Sequence, residues 1–225
     1  CMEAWTWTLF RNEVKRLVLA GDVKQLPALV SESGQLLNHQ RSLMERLVVD
    51  LKYENVICLS EQHRMAPEIV AFPNKMCYDG ALTQGSHAPK EGAVEVYCFD
   101  GIEQSVGASY RNIKEAQEVA RIVSTFSDDD SVVILTPYTA QCHQILSHAT
   151  RREVHTIDSF QGREADIIVL SVVRDGSAGI GFWNEVRRLT VALTRARRRL
   201  IVVASRVDDW PDGSLLKQFV CEHKK

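Results

Sequence analysis

No stretch of the chain approaches the roughly 20 consecutive apolar residues that a bilayer-crossing helix requires; apolar runs such as 56–59 and 167–173 are far shorter. A membrane span is excluded. Cysteine is sparse and scattered, at positions 1, 58, 77, 98, 142 and 221, with no CxxC pair. That excludes a zinc knuckle and a small disulfide-stapled fold, and the six read as reduced thiols of an intracellular protein, cytoplasmic or nuclear. Nothing near the start has the basic and then apolar segments of a secretory leader, and position 1 is Cys rather than Met. The chain is therefore expected to begin inside a longer protein. Missing too is any GxxxxGK[ST], the loop whose backbone amides and lysine cradle nucleotide phosphates. A Gly-rich first turn after a strand, which a generic dinucleotide-binding enzyme carries, is equally absent.

What is present is a globular composition, 45% hydrophobic and 25% charged in 225 residues. That suffices for one large or two small domains with a real core and is incompatible with disorder or collagen. The formal net charge of -2 argues against an indiscriminate polycation that coats nucleic acid. The average conceals an asymmetry. Residues 151–206 hold eleven Arg, no Lys and six acidic residues, net +5, which leaves -7 for the remainder. Guanidinium is the planar, bidentate donor suited to phosphate, whereas a merely solvated basic face usually mixes in Lys.

Short β-branched runs alternate with helical periodicity, the signature of an α/β fold with a parallel sheet covered by helices on both faces. The expected buried strands are 16–20, 56–59, 132–135, 167–172 and 200–204, with a further extended segment at 153–157. Helices are expected over 112–126, with Ile113, Ala116, Val119, Ala120 and Val123 inward, over 42–51 on Leu43, Leu47 and Leu51, and over 140–149 on Cys142, Ile145 and Leu146. Residues 80–92 read as a loop, and 214–225 as a packing helix. No internal repeat is present.

Ligands of open parallel sheets sit outside the carboxyl ends of the strands, which selects three segments. In the first, Gly21 permits a sharp turn, the Asp22 carboxylate is suited to a hydrated Mg²⁺, and Gln25 can donate to a phosphate oxygen and orient a water. The plain alternative is a strand-to-loop turn with Asp22 in an Asx role. The other two are Thr136, Pro137 and Tyr138 after 132–135, and the run from Asp158 to Glu164. Arg64 falls on a loop just ahead of a helix started by Pro67, where an arginine can insert into a neighbouring site as a finger; a surface pair with Glu61 or Glu68 is the alternative. Arg188 and Arg195 stand seven residues apart, hence on one helix face, with an Arg-rich solvent face as the alternative.

Taken in order, these segments resemble the C-terminal motif set of superfamily-one helicases of the nonsense-mediated-decay RNA helicase and senataxin type. The resemblance runs nearly end to end: LAGDVKQLPA at 19–28, SEQHRMAPEI at 60–69 with FPN at 72–74 and YDGAL at 78–82, ILTPYTAQ at 134–141, TIDSFQGREAD at 156–166, and RRLTVALTRAR at 187–197. It implies two RecA-like lobes with ATP in the cleft between them and a single strand of RNA or DNA running across both, travelled 5′-to-3′. Residues 1–50 would be the tail of the first lobe and 51–225 the second lobe. Carried over by position, Gln25 senses the γ-phosphate and Arg64 and Arg195 reach it as fingers. Gly21 and Asp22 flank that site, while Gly162 and Glu164 lie at the nucleotide edge, Glu164 toward the ribose. Thr136, Pro137, Tyr138, Thr156 and Ser159 line the nucleic-acid track. ATP and Mg²⁺ would be held mainly by an N-terminal lobe that these residues lack, so the chain alone is expected to be inactive. Two positions depart from the pattern: His63 replaces the tyrosine that precedes the finger arginine, which weakens or rearranges stacking on the base, and Ala28 replaces a second proline. A helicase-like binding scaffold without catalysis is the competing expectation, opposed by the retention of Gln25, Arg64 and Arg195 together.

Overall fold

The computed structural model describes residues 2–10, 13–148 and 150–224 and divides into two compact units, Cys1–Leu59 and Ser60–Lys225. The expected start at Cys1, the end of the 140–149 helix at Ala149 and the terminal Lys225 lie outside the described residues.

The first unit is made of short helical pieces. Helices α1 (Glu3–Trp7), α2 (Glu32–Leu36) and α3 (Leu43–Glu45) are joined by irregular chain, and α3 continues as one π-helical stretch, Arg46–Asp50. Ser31 and Ser42 cap α2 and α3 by accepting from the amides of Gly34 and Glu45. The helical expectation for 42–51 thus survives in shortened form, with Leu43 buried and Leu51 exposed. The expected strands at 16–20 and 56–59 are not strands. An apolar run becomes a strand only when a neighbour completes its ladder, and no described segment pairs with either; Val18 is 78% exposed and Ile57 and Leu59 are both 89% exposed.

The second unit is the α/β body. A parallel pair, β1 (Glu61–Gln62) and β2 (Thr83–Gln84), brackets helix α4 (Pro67–Cys77), so the expected 80–92 loop contains a short strand. Strand β3 (Ala93–Phe99), unforeseen, opens the main sheet, followed by the hairpin β4 (Gln104–Val106) and β5 (Ser109–Arg111) and helix α5 (Ile113–Val123). Then come β6 (Val132–Thr136), α6 (Thr139–Leu146), β7 (Glu153–Thr156), β8 (Ala165–Ser171), α7 (Val186–Leu193), β9 (Ala196–Ser205) and α8 (Leu215–His223). The five sheet strands lie in the order β3-β9-β8-β6-β7, every pair parallel. Ala116, Val119, Ile122 and Val123 of α5 and Ile145 of α6 pack with Ile134, Val169, Ile201 and Val203 on one face. The alternate residues Leu135, Ile168, Leu170, Leu200 and Val202 are also buried, and α4 and α8 cover the opposite face over β3 and β9. Leu146, expected inward, is about half exposed because α6 ends there.

A buried polar network ties this body together at the carboxyl ends of β8 and β9. Asn112, Glu115, Gln141, Ser171 and Ser205 are all fully buried. Gln141 Oε1 accepts from the Asn112 amide at 2.8 Å and its Nε2 donates to Ser171 Oγ at 2.9 Å. Asn112 Nδ2 donates to Ser205 Oγ at 3.0 Å, and Glu115 Oε1 accepts from Ser171 Oγ at 2.6 Å and from the Val173 amide at 2.8 Å. Burial pushes the Glu115 carboxyl up to about 7 despite those hydrogen bonds, which favour its ionised form.

Between the ordinary carboxylate value and about 7 the folded chain binds a proton at Glu115 that the unfolded chain has released, so its contribution to stability falls as pH rises through that window. Comparing chemical denaturation of the chain and of Glu115→Gln from pH 4.5 to 8 should show the variant gaining relative stability toward high pH, by up to about 3 kcal/mol. Parallel profiles would show that the carboxyl is ionised throughout.

Candidate functional site

The sequence-predicted residues fall into three groups. In the first unit, Asp22 accepts from the Lys24 amide at 2.9 Å and from Gln25 Nε2 at 2.8 Å, and the Gln25 amide donates to the Asp22 carbonyl. This is the Asx turn. Gly21 does not have a positive φ, so the expected sharp turn does not rest on glycine freedom.

The second group converges at the amino ends of β8 and β9. The loop before α4 docks on the first residues of β9, where the Ala66 amide donates to the Arg197 carbonyl at 2.8 Å. Gly92 makes room for this approach: a Cβ there would lie 2.4 Å from Ala66 Cβ. Arg64 is thereby delivered to Glu164, Nε to Oε2 at 2.5 Å, and its Nη1 donates to the Thr194 carbonyl at 3.1 Å. Arg197 approaches the other oxygen of Glu164 at 3.7 Å and Asp166 at 3.5 Å. Gly162 sits at φ +83°, the left-handed conformation that turns the chain into Glu164 and β8. Glu61 and Glu68, the alternative partners for Arg64, do not hold it.

Arg195 corrects an expectation. Helix α7 ends at Leu193, so Arg188 and Arg195 do not share a helix face. Arg195 occupies the turn into β9 with only 1% exposure. Its Nε donates to the Val191 carbonyl at 3.0 Å, Nη1 to the Arg163 carbonyl at 3.3 Å and Nη2 to Thr194 Oγ1 at 2.9 Å. The residue thus closes the helix terminus and links α7 to the segment before β8.

The third group lies at the other end of the sheet. Thr136 is fully buried, with a hydroxyl that has no hydrogen-bond partner among the described residues, so it is not at the surface where a strand would pass. Pro137 and Tyr138 are half-buried and Ser159 is exposed. Thr156 Oγ1 accepts from the Ser159 amide at 3.3 Å and Ser159 Oγ donates to the Thr156 carbonyl at 2.9 Å, which ties the end of β7 to the 3₁₀ turn Asp158–Phe160. Thr156 pairs with Thr136, and Ala165 with Ala196 at the opposite end. At about 3.3 Å per residue the two ends are roughly 20 Å apart. The segment 157–164 crosses that span, with Ile157 and Phe160 buried along it. The carboxyl-end rule selected this segment, yet Gly162 and Glu164 lie at its far end.

Sequence reasoning missed a neighbour of Tyr138. Arg174, buried, donates to Glu103 Oε2 at 2.8 Å and to the Ala178 carbonyl at 3.0 Å, reaches Tyr138 Oη at 3.5 Å, and lies 4.3 Å from the Tyr110 ring centre. Burial raises the Tyr138 phenol above its ordinary value, with Arg174 opposing. The available signal was an arginine two residues beyond a buried β-branched strand.

A family model described as "AAA domain" matches residues 39–207. The chain is 33% identical to "Helicase sen1" of Schizosaccharomyces pombe over 87% of its own length and 13% of that protein. It is 35% identical to an "Uncharacterized ATP-dependent helicase" of Methanocaldococcus jannaschii over 85% of this chain and 32% of that one. With "ATP-dependent helicase upf1" of Schizosaccharomyces pombe it shares 34% identity over 85% of this chain and 24% of the relative. The chain thus spans 13% to 32% of the length of these relatives.

The two arginines should differ in stability tests. Arg195→Ala removes a buried guanidinium and strands two carbonyls, which should cost about 2–4 kcal/mol in urea denaturation, while Arg64→Ala should cost under about 1 kcal/mol because its ion pair is half-exposed. Equal costs would contradict the burial of Arg195.

Proposed function

Because the chain belongs to the AAA domain family, we propose that it is the arginine-bearing part of an ATP-driven motor on single-stranded nucleic acid, working with a second, phosphate-cradling lobe. The carrying observation is the convergence of Arg64, Glu164 and the Thr194–Arg195 turn, from three distant motifs, at the amino ends of β8 and β9. That donor set fits a nucleoside triphosphate: guanidinium groups complement phosphate, and the Glu164 carboxylate is the natural acceptor for ribose hydroxyls. Among the described residues no group of three His, Cys, Asp or Glu could hold a metal ion. Mg²⁺ would be held chiefly by the other lobe, where it would neutralise charge developing on the phosphates.

On this reading Arg64 exchanges Glu164 for the terminal phosphate when the lobes close, and Arg195 holds the Thr194 hydroxyl and the Arg163 carbonyl in place beside it. Phosphoryl transfer needs positioning and charge neutralisation rather than covalent help, and a finger arginine is worth roughly 10³–10⁵ in rate. Residues 1–50 would complete the first lobe and 51–225 form the RecA-like second lobe. Gln25, with Gly21 and Asp22 beside it, would sense the γ-phosphate. The exposed Trp5, Trp7, Leu29, Leu36, Ile57 and Leu59 support an absent partner for the first unit, since apolar side chains at such density belong in a core. No described helix is long and apolar enough to cross a membrane; an intracellular location, 5′-to-3′ travel and strand contacts at Pro137, Tyr138, Thr156 and Ser159 complete the reading.

A chimera that joins this chain to the GxxxxGK[ST]-bearing lobe of a relative should hydrolyse ATP faster with single-stranded nucleic acid present. In that chimera Arg64→Ala should lower turnover by roughly 10³ with little loss of ATP affinity. A chimera that binds ATP and strand yet never turns ATP over would return the chain to the scaffold reading, and turnover unchanged by Arg64→Ala would refute the finger role of Arg64.

A further inference from the structure

The turn that follows β8 is held by side chains instead of a backbone ladder. The last ladder contact is the Val172 amide on the Val203 carbonyl at 3.1 Å. From there Val173, at φ +73°, an unfavourable conformation for a β-branched residue, bends the chain away from the sheet. Its amide donates to Glu115 Oε1 at 2.8 Å and its carbonyl accepts from Asn112 Nδ2 at 3.4 Å. Glu103 Oε2 accepts from Arg174 Nε at 2.8 Å and from the Asp175 amide at 3.1 Å. Two carboxyl groups thus close a strained turn.

Glu103 is matched by Arg174, but Glu115 meets no cation among the described residues. It is fully buried, and its carboxyl accepts from Ser171 Oγ at 2.6 Å, the Val173 amide at 2.8 Å and Ser205 Oγ at 3.3 Å. The charged groups on the surrounding elements are committed elsewhere. On α5, Lys114 donates to the Asp100 carbonyl and Glu118 pairs with Arg121. Beyond the strand ends, Arg206 pairs with Asp100 and Asp209, and Asp175 accepts from the Glu103 and Ser177 amides. On α6, His143 is exposed, and burial pushes the Cys142 thiol up to about 11, which keeps it neutral. Ionising Glu115 in the closed turn therefore places an unmatched charge in the interior, which only a proton or water can relieve. The closed turn holds the carboxyl at about 7, whereas an opened turn hydrates it and returns it to the ordinary carboxylate range. Opening releases a proton between those two values, so it becomes more favourable as pH rises through that window, by up to about ten-fold per pH unit, and levels off above it.

We propose that Glu115 is a proton-held latch on the turn at Val173, Arg174 and Asp175: protonated it keeps the turn closed, and ionised it releases the turn and with it the hold of Arg174 on Tyr138. Arg174 donates to Tyr138 Oη at 3.5 Å and to the Ala178 carbonyl at 3.0 Å, so its position is set by the turn that carries it. Glu115 acts through Val173 and is a positioning residue. The consequence for binding rests on the strand-binding reading above, in which Tyr138 is a strand contact: affinity for a single strand falls as neutral pH is crossed.

The test is hydrogen exchange of the 225-residue chain, read by NMR from about pH 5 to pH 8 and corrected for the intrinsic rate. Two protons report on the turn, the Val173 amide and the Trp183 indole N–H, which donates to the Val172 carbonyl at 3.0 Å. Opening at both should rise roughly ten- to a hundred-fold across that range in the chain, and under about three-fold in Glu115→Gln, which keeps the shape without the titration. Both should also open more readily than the amides of Val169 and Ile201 in the core strands, the sign of local rather than global opening. Anisotropy with a labelled oligo(dT) of about 20 nucleotides should show affinity falling at least about three-fold further over the same range in the chain than in Glu115→Gln. Circular dichroism melting checks that the variant is folded. Equal pH slopes in the chain and the folded variant would refute the latch, and so would a Val173 amide no faster than Val169, a comparison that needs no variant. A pH-linked turn whose strand affinity does not follow would overturn the link to binding. No strand bound at any pH would overturn the strand-binding reading and that link with it.

Discussion

Five buried polar side chains at the carboxyl ends of β8 and β9 decide where the rest of the second unit can go. A buried amide, hydroxyl or carboxyl left without a partner costs about 1–3 kcal/mol, so Asn112, Glu115, Gln141, Ser171 and Ser205 tolerate few alternative arrangements. Their hydrogen bonds fix the start of α5, one side of α6 and the last residues of two strands relative to one another. An apolar core of the same size would allow these elements to slide. The network also stabilises Val173 in its left-handed conformation, a departure costing about 1–2 kcal/mol in isolation. Val173 turns the chain so that Arg174 passes beneath Tyr110 and Tyr138 rather than continuing the strand.

The sheet then separates two kinds of chemistry. Guanidinium groups and the Glu164 carboxylate gather at the amino ends of β8 and β9; aromatic rings gather at the carboxyl ends of β6 and β8. The short crossover between β7 and β8 is the part of the chain that visits both, and it does so without a helix, anchored by Ile157 and Phe160. A motif compact in sequence is therefore extended in space. In the proposed motor this placement puts the two ligands on opposite sides of one rigid layer, so that a change felt at Glu164 is carried by a packed segment rather than by a loop.

Legibility in the sequence followed whether an element's stabilising partner lay within the chain. The strands expected at 132–135, 167–172 and 200–204 and the helix at 113–123 were readable because their periodicity reports burial that the second unit itself supplies, while the first four residues of β9 were not read as strand. The runs at 16–20 and 56–59 carried the same β-branched signal and failed, since no described segment pairs with them. Strand β3 was missed because Glu95 breaks the continuous apolar run that marked the other strands; it is an edge strand, and Glu95 answers Arg199 across the pair. Of the site, the motifs located Arg64 and Glu164, but only coordinates show that they meet. The buried state of Arg195 was invisible because a charged residue in an Arg-rich segment reads as surface.

That difference between the arginines bears on which one can act first. The Arg64–Glu164 pair is partly exposed on both sides, so solvent screens it and its net worth is on the order of 1 kcal/mol or less. A triphosphate, with several negative charges and more acceptor oxygens than one carboxylate, competes for that guanidinium at little cost. Arg195 would have to surrender hydrogen bonds to Val191, Arg163 and Thr194 and leave a cavity at the α7 terminus before meeting a phosphate. In the proposed motor the electrostatics would divide the labour: Arg64 would be the exchangeable cation that approach of a phosphate recruits, and Arg195 the fixed one whose positive charge and helix-end contacts shape the end of the sheet that the phosphate approaches.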